Sequence, residues 1–99
     1  MTQPEARLQR KIQDVLRQAG AFVFKVHGSQ HMMSGLPDLI VCYRGRFIGM
    51  EVKMPGNKPS KIQHLRARAI KDADGFCFVV HSTNEALRAL RVVEIRTGS

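Results

Sequence analysis

Two apolar runs separated by Arg44-Gly45 constrain this chain more than any other feature. Gly35-Leu36-Pro37-Asp38-Leu39-Ile40-Val41-Cys42-Tyr43 leads into the turn and Arg46-Phe47-Ile48-Gly49-Met50-Glu51-Val52-Lys53 leads out, the pattern of a β-hairpin. Side chains alternate across a strand, which puts Glu51 and Lys53 on one face and Val52 on the other. A two-residue loop pairs Tyr43 with Arg46, and counting back along the ladder sets Asp38 opposite Glu51 on that same face. A three-residue loop would shift the register and misalign Asp38 unless a bulge corrected it. With the shorter loop, two carboxylates and a lysine converge. Like charges on cross-strand neighbours cost stability, so the pair calls for a neutralising partner. Oxygen ligands favour a hard divalent ion, magnesium or manganese, which keeps water and substrate oxygens in its remaining positions. The plainer reading is a surface ion-pair cluster of small energetic value.

The chain of 99 residues suffices for one domain, 1–99, with a single core. Lys and Arg outnumber Asp and Glu by 16 to 8, and a formal charge of +8 favours polyanionic partners, nucleic acid first. The basic residues are dispersed rather than gathered on one amphipathic helix, which argues against a membrane surface. With a polar N-terminus and no apolar run long enough to span a bilayer, the expected compartment is the cytoplasm. Cys42 and Cys77 sit inside apolar runs and read as buried thiols in a reducing compartment.

Leu8, Ile12, Val15, Leu16 and Ala19 follow helical spacing, predicting an amphipathic helix over about 4–19 that ends at Gly20. Glu5 falls on its apolar stripe. It is either half of a capping box with Thr2 or a carboxylate set on a packing face for another purpose. Arg7, Arg10, Lys11, Arg17 and several glutamines are assigned to the outer face. Ala21 to Val26 reads as a strand, and 27–35 as a polar loop leading to Asp38, with His27 and His31 more suited to loop or phosphate contacts than to catalysis.

Beyond the hairpin, Met54-Pro55-Gly56-Asn57-Lys58-Pro59 breaks the strand, and Ser60 starts a helix to about Asp72. Ile62, Leu65, Ala69 and Ala73 are expected inward, and Lys58, Lys61, Arg66, Arg68 and Lys71 outside or at the edges. Gln63, three residues after Ser60, fits a capping box and also lies within reach of the carboxylates. Phe76-Cys77-Phe78-Val79-Val80 suggests a strand buried on both faces. Ser82-Thr83-Asn84-Glu85 opens a short helix, and Arg91-Val92-Val93-Glu94-Ile95 is expected as an edge strand or docked tail. The order is α-β-β-β-α-β-α with a possible last strand: an α/β fold, its mixed sheet flanked by helices.

Asp38, then Glu51-x-Lys53 on the next strand, after a helix bearing Glu5, resembles the active-site pattern of the PD-(D/E)xK nuclease superfamily, whose restriction-endonuclease-like core has the order αβββαβ. Gly35-Leu36-Pro37-Asp38-Leu39, Glu51-Val52-Lys53 followed by Pro55-Gly56, and Ser60 with Gln63 resemble the VRR-NUC domain family in particular, over nearly the whole chain. Chains of this size are similar to its small stand-alone, phage-encoded members, which would place the protein in a host cytoplasm. The resemblance implies that Asp38, Glu51 and the backbone carbonyl of Val52 hold the metal. It also implies that Lys53 orients or deprotonates the attacking water, that Glu5 supports the metal or its water shell, and that Gln63 positions the surrounding groups.

The activity that this resemblance implies is that of a magnesium- or manganese-dependent, structure-selective DNA endonuclease, a Holliday-junction-resolvase-like homodimer. Cutting two strands symmetrically needs two sites, which a two-fold dimer supplies, with the first helix and final strand as candidate faces. Lys58, Lys61 and Arg66, with Ser29 and His31 of the glycine-bounded loop, would contact the DNA backbone. The competing readings are a non-catalytic nucleic-acid-binding module on an inherited fold, disfavoured by carboxylates that repel phosphate, and an RNA-directed nuclease. Phenylalanines placed mostly in core strands leave few aromatics for stacking single-stranded bases.

Overall fold

The Arg44-Gly45 turn closes as a two-residue loop because both residues take positive φ (51° and 78°), the backbone twist that matches right-handed strand twist. In the computed structural model, which describes residues 3–98, β1 (Phe22–Lys25), β2 (Leu39–Tyr43), β3 (Arg46–Val52) and β4 (Phe76–Val80) form one sheet in that spatial order. β1, β2 and β3 pair antiparallel, with Tyr43 opposite Arg46 and Leu39 opposite Met50, while β4 runs parallel to β3. Helices α1 (Pro4–Gln18), α2 (Lys61–Asp72) and α3 (Thr83–Thr97) complete a mixed α/β fold. No helix among the described residues is long and apolar enough to cross a membrane.

The core lies on one face of the sheet. Val23, Leu39, Val41, Ile48, Met50, Val52 and Val80 pack against Ile12 and Leu16 of α1 and Ala86, Ala89, Leu90 and Val93 of α3. The last four residues repeat at helical spacing, which is why the segment expected as an edge strand is helical instead. Their burial, with Ser82 Oγ accepting the Glu85 N–H at the helix start, overrides the β preference of Val92, Val93 and Ile95. Tyr43 O–H donates to Glu94 Oε1 at 2.9 Å and pins this helix to the hairpin.

Other expectations need correcting. β4 is an edge strand rather than a doubly buried one, and Val79 is 40% exposed. Along α2, Ile62, Leu65, Ala69 and Ala73 are exposed, because the helix is rotated to bring Gln63, Arg66, Ala67 and Ile70 toward the sheet. Gln9, assigned to the outer face of α1, is buried. Cys42 is exposed rather than buried, and Cys77 is half-buried, its thiol pushed up by desolvation. Phe22, Phe24 and Phe47 are exposed as well, because α2 packs over the second face of the sheet chiefly at β4; Phe47 lines a hollow beside Arg66, Ala69 and Ile70 of that helix. Contrary to the expectation from sequence, the surface therefore does offer aromatic rings.

Candidate active site

Each carboxylate of the hairpin is placed by a local sequence device. Gly49 lets Pro37 lie flat on β3, since a Cβ at position 49 would stand 2.6 Å from Pro37 Cγ. Asp38 follows directly, and its Oδ2 accepts the backbone N–H of Val52 at 2.8 Å. Gly35, at φ +79°, brings the preceding loop against the first turn of α2, where a Cβ would stand 2.6 Å from the Ile62 carbonyl oxygen.

Glu51 is 5% exposed at the end of β3. Burial, then the hydrogen bond and charge of Asp38, with a smaller contribution from Glu5, push its carboxyl up from 4.5 to about 8, while the Lys53 ammonium pulls the other way. Burial and the neighbouring Asp38 thus favour the protonated form of Glu51. Asp38, Lys53 and, most weakly, Glu5 are near enough for their charges to act on Glu51. Glu5 stands in the first turn of α1, whose N-cap is Gln3, and the Thr2 half of the suggested capping box lies outside the described residues.

Gln63 fills both roles foreseen for it. Its Oε1 accepts the Ser60 N–H at 2.8 Å, closing a capping box, while its Nε2 donates to Glu51 Oε1 at 2.8 Å. One side chain therefore starts α2 and orients the buried carboxyl.

The Val52 carbonyl also converges here. Lys53 N–H donates to Val80 O at 3.1 Å, toward β4. No described peptide is cis, so the carbonyl of the same peptide points the opposite way, to the side of β3 where β2 and Asp38 lie. Two carboxylates and a carbonyl form an all-oxygen donor set suited to magnesium or manganese. Among the described residues no three His, Cys, Asp or Glu side chains gather as a metal cage, so water and substrate would complete the coordination.

The loop before Asp38 and the start of α2 carry the residues expected to contact DNA. Ser29 Oγ accepts the His31 N–H at 3.2 Å within the exposed loop, and a groove runs from Gly28 and Ser29 past Gly35 to Asp38. Arg66 Nε donates to Ser34 O at 2.7 Å and ties this loop to α2, while Lys58 and Lys61 are exposed at the helix start.

Two residues escaped the sequence reading. Gln9, one turn beyond Glu5 on α1, is 7% exposed, and its Oε1 lacks a partner. Its place on the inward stripe with Ile12 and Leu16 was the available signal. His81 Nδ1 lies 2.9 Å from the Lys53 carbonyl oxygen, a contact with no sequence signal.

Comparison with family models gives no match, and no curated protein matches. A solved structure titled "VRR_NUC domain" superposes with a TM-score of 0.76 at 27% sequence identity, covering 91% of this chain and 97% of that one. With strand order, hairpin register and similarity over nearly the full length in agreement, the chain has a VRR-NUC-like fold, the architecture of a nuclease family.

Proposed function

We propose that the protein is a magnesium- or manganese-dependent endonuclease that cuts branched DNA, four-way junctions above all, as a homodimer. The observation that carries this reading is the Asp38–Glu51 pair: Glu51 is 5% exposed, and Asp38 beside it is held in place by the Val52 N–H at 2.8 Å. Two neighbouring carboxylates, one of them buried, disfavour each other's charge, and a divalent ion would relieve that repulsion. Bound there, the ion would neutralise phosphodiester charge and make water more acidic.

The protein's own groups have separable tasks. Asp38, Glu51 and the Val52 carbonyl hold the cation, with Gln63 orienting Glu51 and Glu5 adding negative charge to the cluster. Lys53 aligns the attacking water or accepts its proton. Lys58 and Lys61 neutralise backbone phosphates beside the site, and the Ser29–His31 loop, braced by Arg66, contacts the strand entering it. These contacts read phosphate rather than bases, which gives weak sequence preference and steep salt dependence.

Of the candidate faces for a second copy, a bare part of the sheet suits it better than the first helix or the last segment. The inner stripe of α1 is spent on the core, and the supposed final strand is part of α3. Phe22 (66% exposed) and Phe24 (46%) on β1 offer an apolar surface for the partner copy.

The test is cleavage of labelled four-way-junction, flap, single-stranded and duplex DNA with magnesium or manganese, comparing wild type with Asp38→Asn and Lys53→Ala. Paired, symmetric nicks across the junction, absent from both variants, are expected. Tight binding without metal-dependent cleavage would overturn the enzyme reading in favour of a binding module.

A further inference from the structure

Lys53 is the last residue of its motif and sits where the sheet stops supporting β3. On the β2 side the ladder ends at Leu39–Met50, and Asp38 takes up the Val52 N–H. Beyond Lys53 the chain enters Met54-Pro55-Gly56, which supplies no ladder. Support therefore comes from the β4 side, where Lys53 N–H donates to Val80 O and His81 Nδ1 lies 2.9 Å from Lys53 O. A carbonyl oxygen can only accept, so this contact is a hydrogen bond with Nδ1 carrying the proton. Neutral His81 is then the Nδ1–H tautomer, with the lone pair on Nε2.

His81 is itself held. Its backbone N–H donates to Glu85 Oε1 at 3.1 Å, and Glu85 N–H donates to Ser82 Oγ at 3.1 Å at the start of α3. The first turn of α3 thus locks the residue that grips the Lys53 carbonyl. Lysine has a long, flexible stem, so its ammonium is only as well placed as the backbone that carries it.

We infer that His81 is a positioning residue for Lys53: its Nδ1–H clamps the Lys53 carbonyl, fixing the direction in which the ammonium enters the site. The inference rests on the nuclease reading, and the contact itself is testable without it.

Substitutions at position 81 separate the two ring nitrogens. Asn places an amide N–H near the Nδ1 position, Gln places one near Nε2, and Ala removes both. With junction DNA and magnesium or manganese, His81→Ala and His81→Gln are expected to lower kcat about tenfold with little change in KM, whereas His81→Asn stays within about twofold of wild type. Thermal melts choose a temperature at which every variant is folded. Should the alanine variant not fold, the Asn and Gln pair still decides. Separately, 15N NMR of the metal-free protein should show His81 as the Nδ1–H tautomer.

An Nε2–H tautomer, or rescue by Gln and not Asn, would overturn the clamp and leave the nuclease reading standing. A wild type that shows the Nδ1–H tautomer but cleaves no DNA with either metal would overturn the nuclease reading, and the catalytic part of the inference with it.

Discussion

The carboxylate of Asp38 accepts the backbone N–H of Val52 at 2.8 Å, which fastens the residue before β2 to the last residue of β3. This bond continues the hairpin past its last ladder pair and holds Asp38 beside Glu51. Asp38→Asn keeps an acceptor for Val52 but removes the charge that raises Glu51. The Glu51 pKa is therefore expected to fall below about 8 while burial, the largest cause of its shift, still holds it above the ordinary value, as followed by 13C NMR titration of the carboxyl. Cleavage should drop by about 100-fold or more for want of a cation ligand.

The pH dependence of metal-free stability has a definite sign. Glu51 holds its proton in the folded state up to about 8 but loses it near 4.5 when unfolded, so between those values the folded chain binds more protons. Its contribution therefore favours folding at low pH and is lost as pH rises through this window. Urea midpoints in chelator should reveal that loss, and Glu51→Gln should flatten it.

On the proposed reading, cation binding would displace the same proton. Magnesium or manganese affinity should climb about tenfold per pH unit below about 8 and level off above it. Calorimetry at pH 7 in buffers of different ionisation enthalpy should show close to one proton released per ion bound.

Gln63 makes two contacts that substitution can part. Gln63→Glu retains an acceptor for Ser60 N–H but loses the donor to Glu51 and adds a further carboxylate. Helix content should persist while cleavage falls and the Glu51 pKa rises further. Gln63→Ala removes both contacts and should cost about 1–2 kcal/mol in urea unfolding.

The bare part of the sheet gives a prediction about assembly. Phe22 and Phe24 meet edge to face with ring centroids 6.1 Å apart and are largely outside the core. Replacing both with Ser should leave monomer stability within about 0.5 kcal/mol. Sedimentation should shift from dimer to monomer, and paired junction nicks should become single nicks.

Local devices were legible in the chain. Period-two alternation and the Arg44-Gly45 turn determined the register that joins Asp38, Glu51 and Lys53, and Ser60 with Gln63 marked a helix start, because each depends on neighbours a few residues away. Tertiary packing decided the rest. Val92, Val93 and Ile95 became helical because Ala86, Ala89, Leu90 and Val93 share one buried stripe. The rotation of α2 left Leu65 exposed, and Gln9 was buried because α1 turns that position toward the core. The grip of His81 on Lys53 joins residues 28 apart in the chain, a contact that exists only because β4 lies parallel to β3. Short-range patterns set which groups the hairpin presents, but which faces are covered depends on free-energy differences among distant segments that no local spacing records.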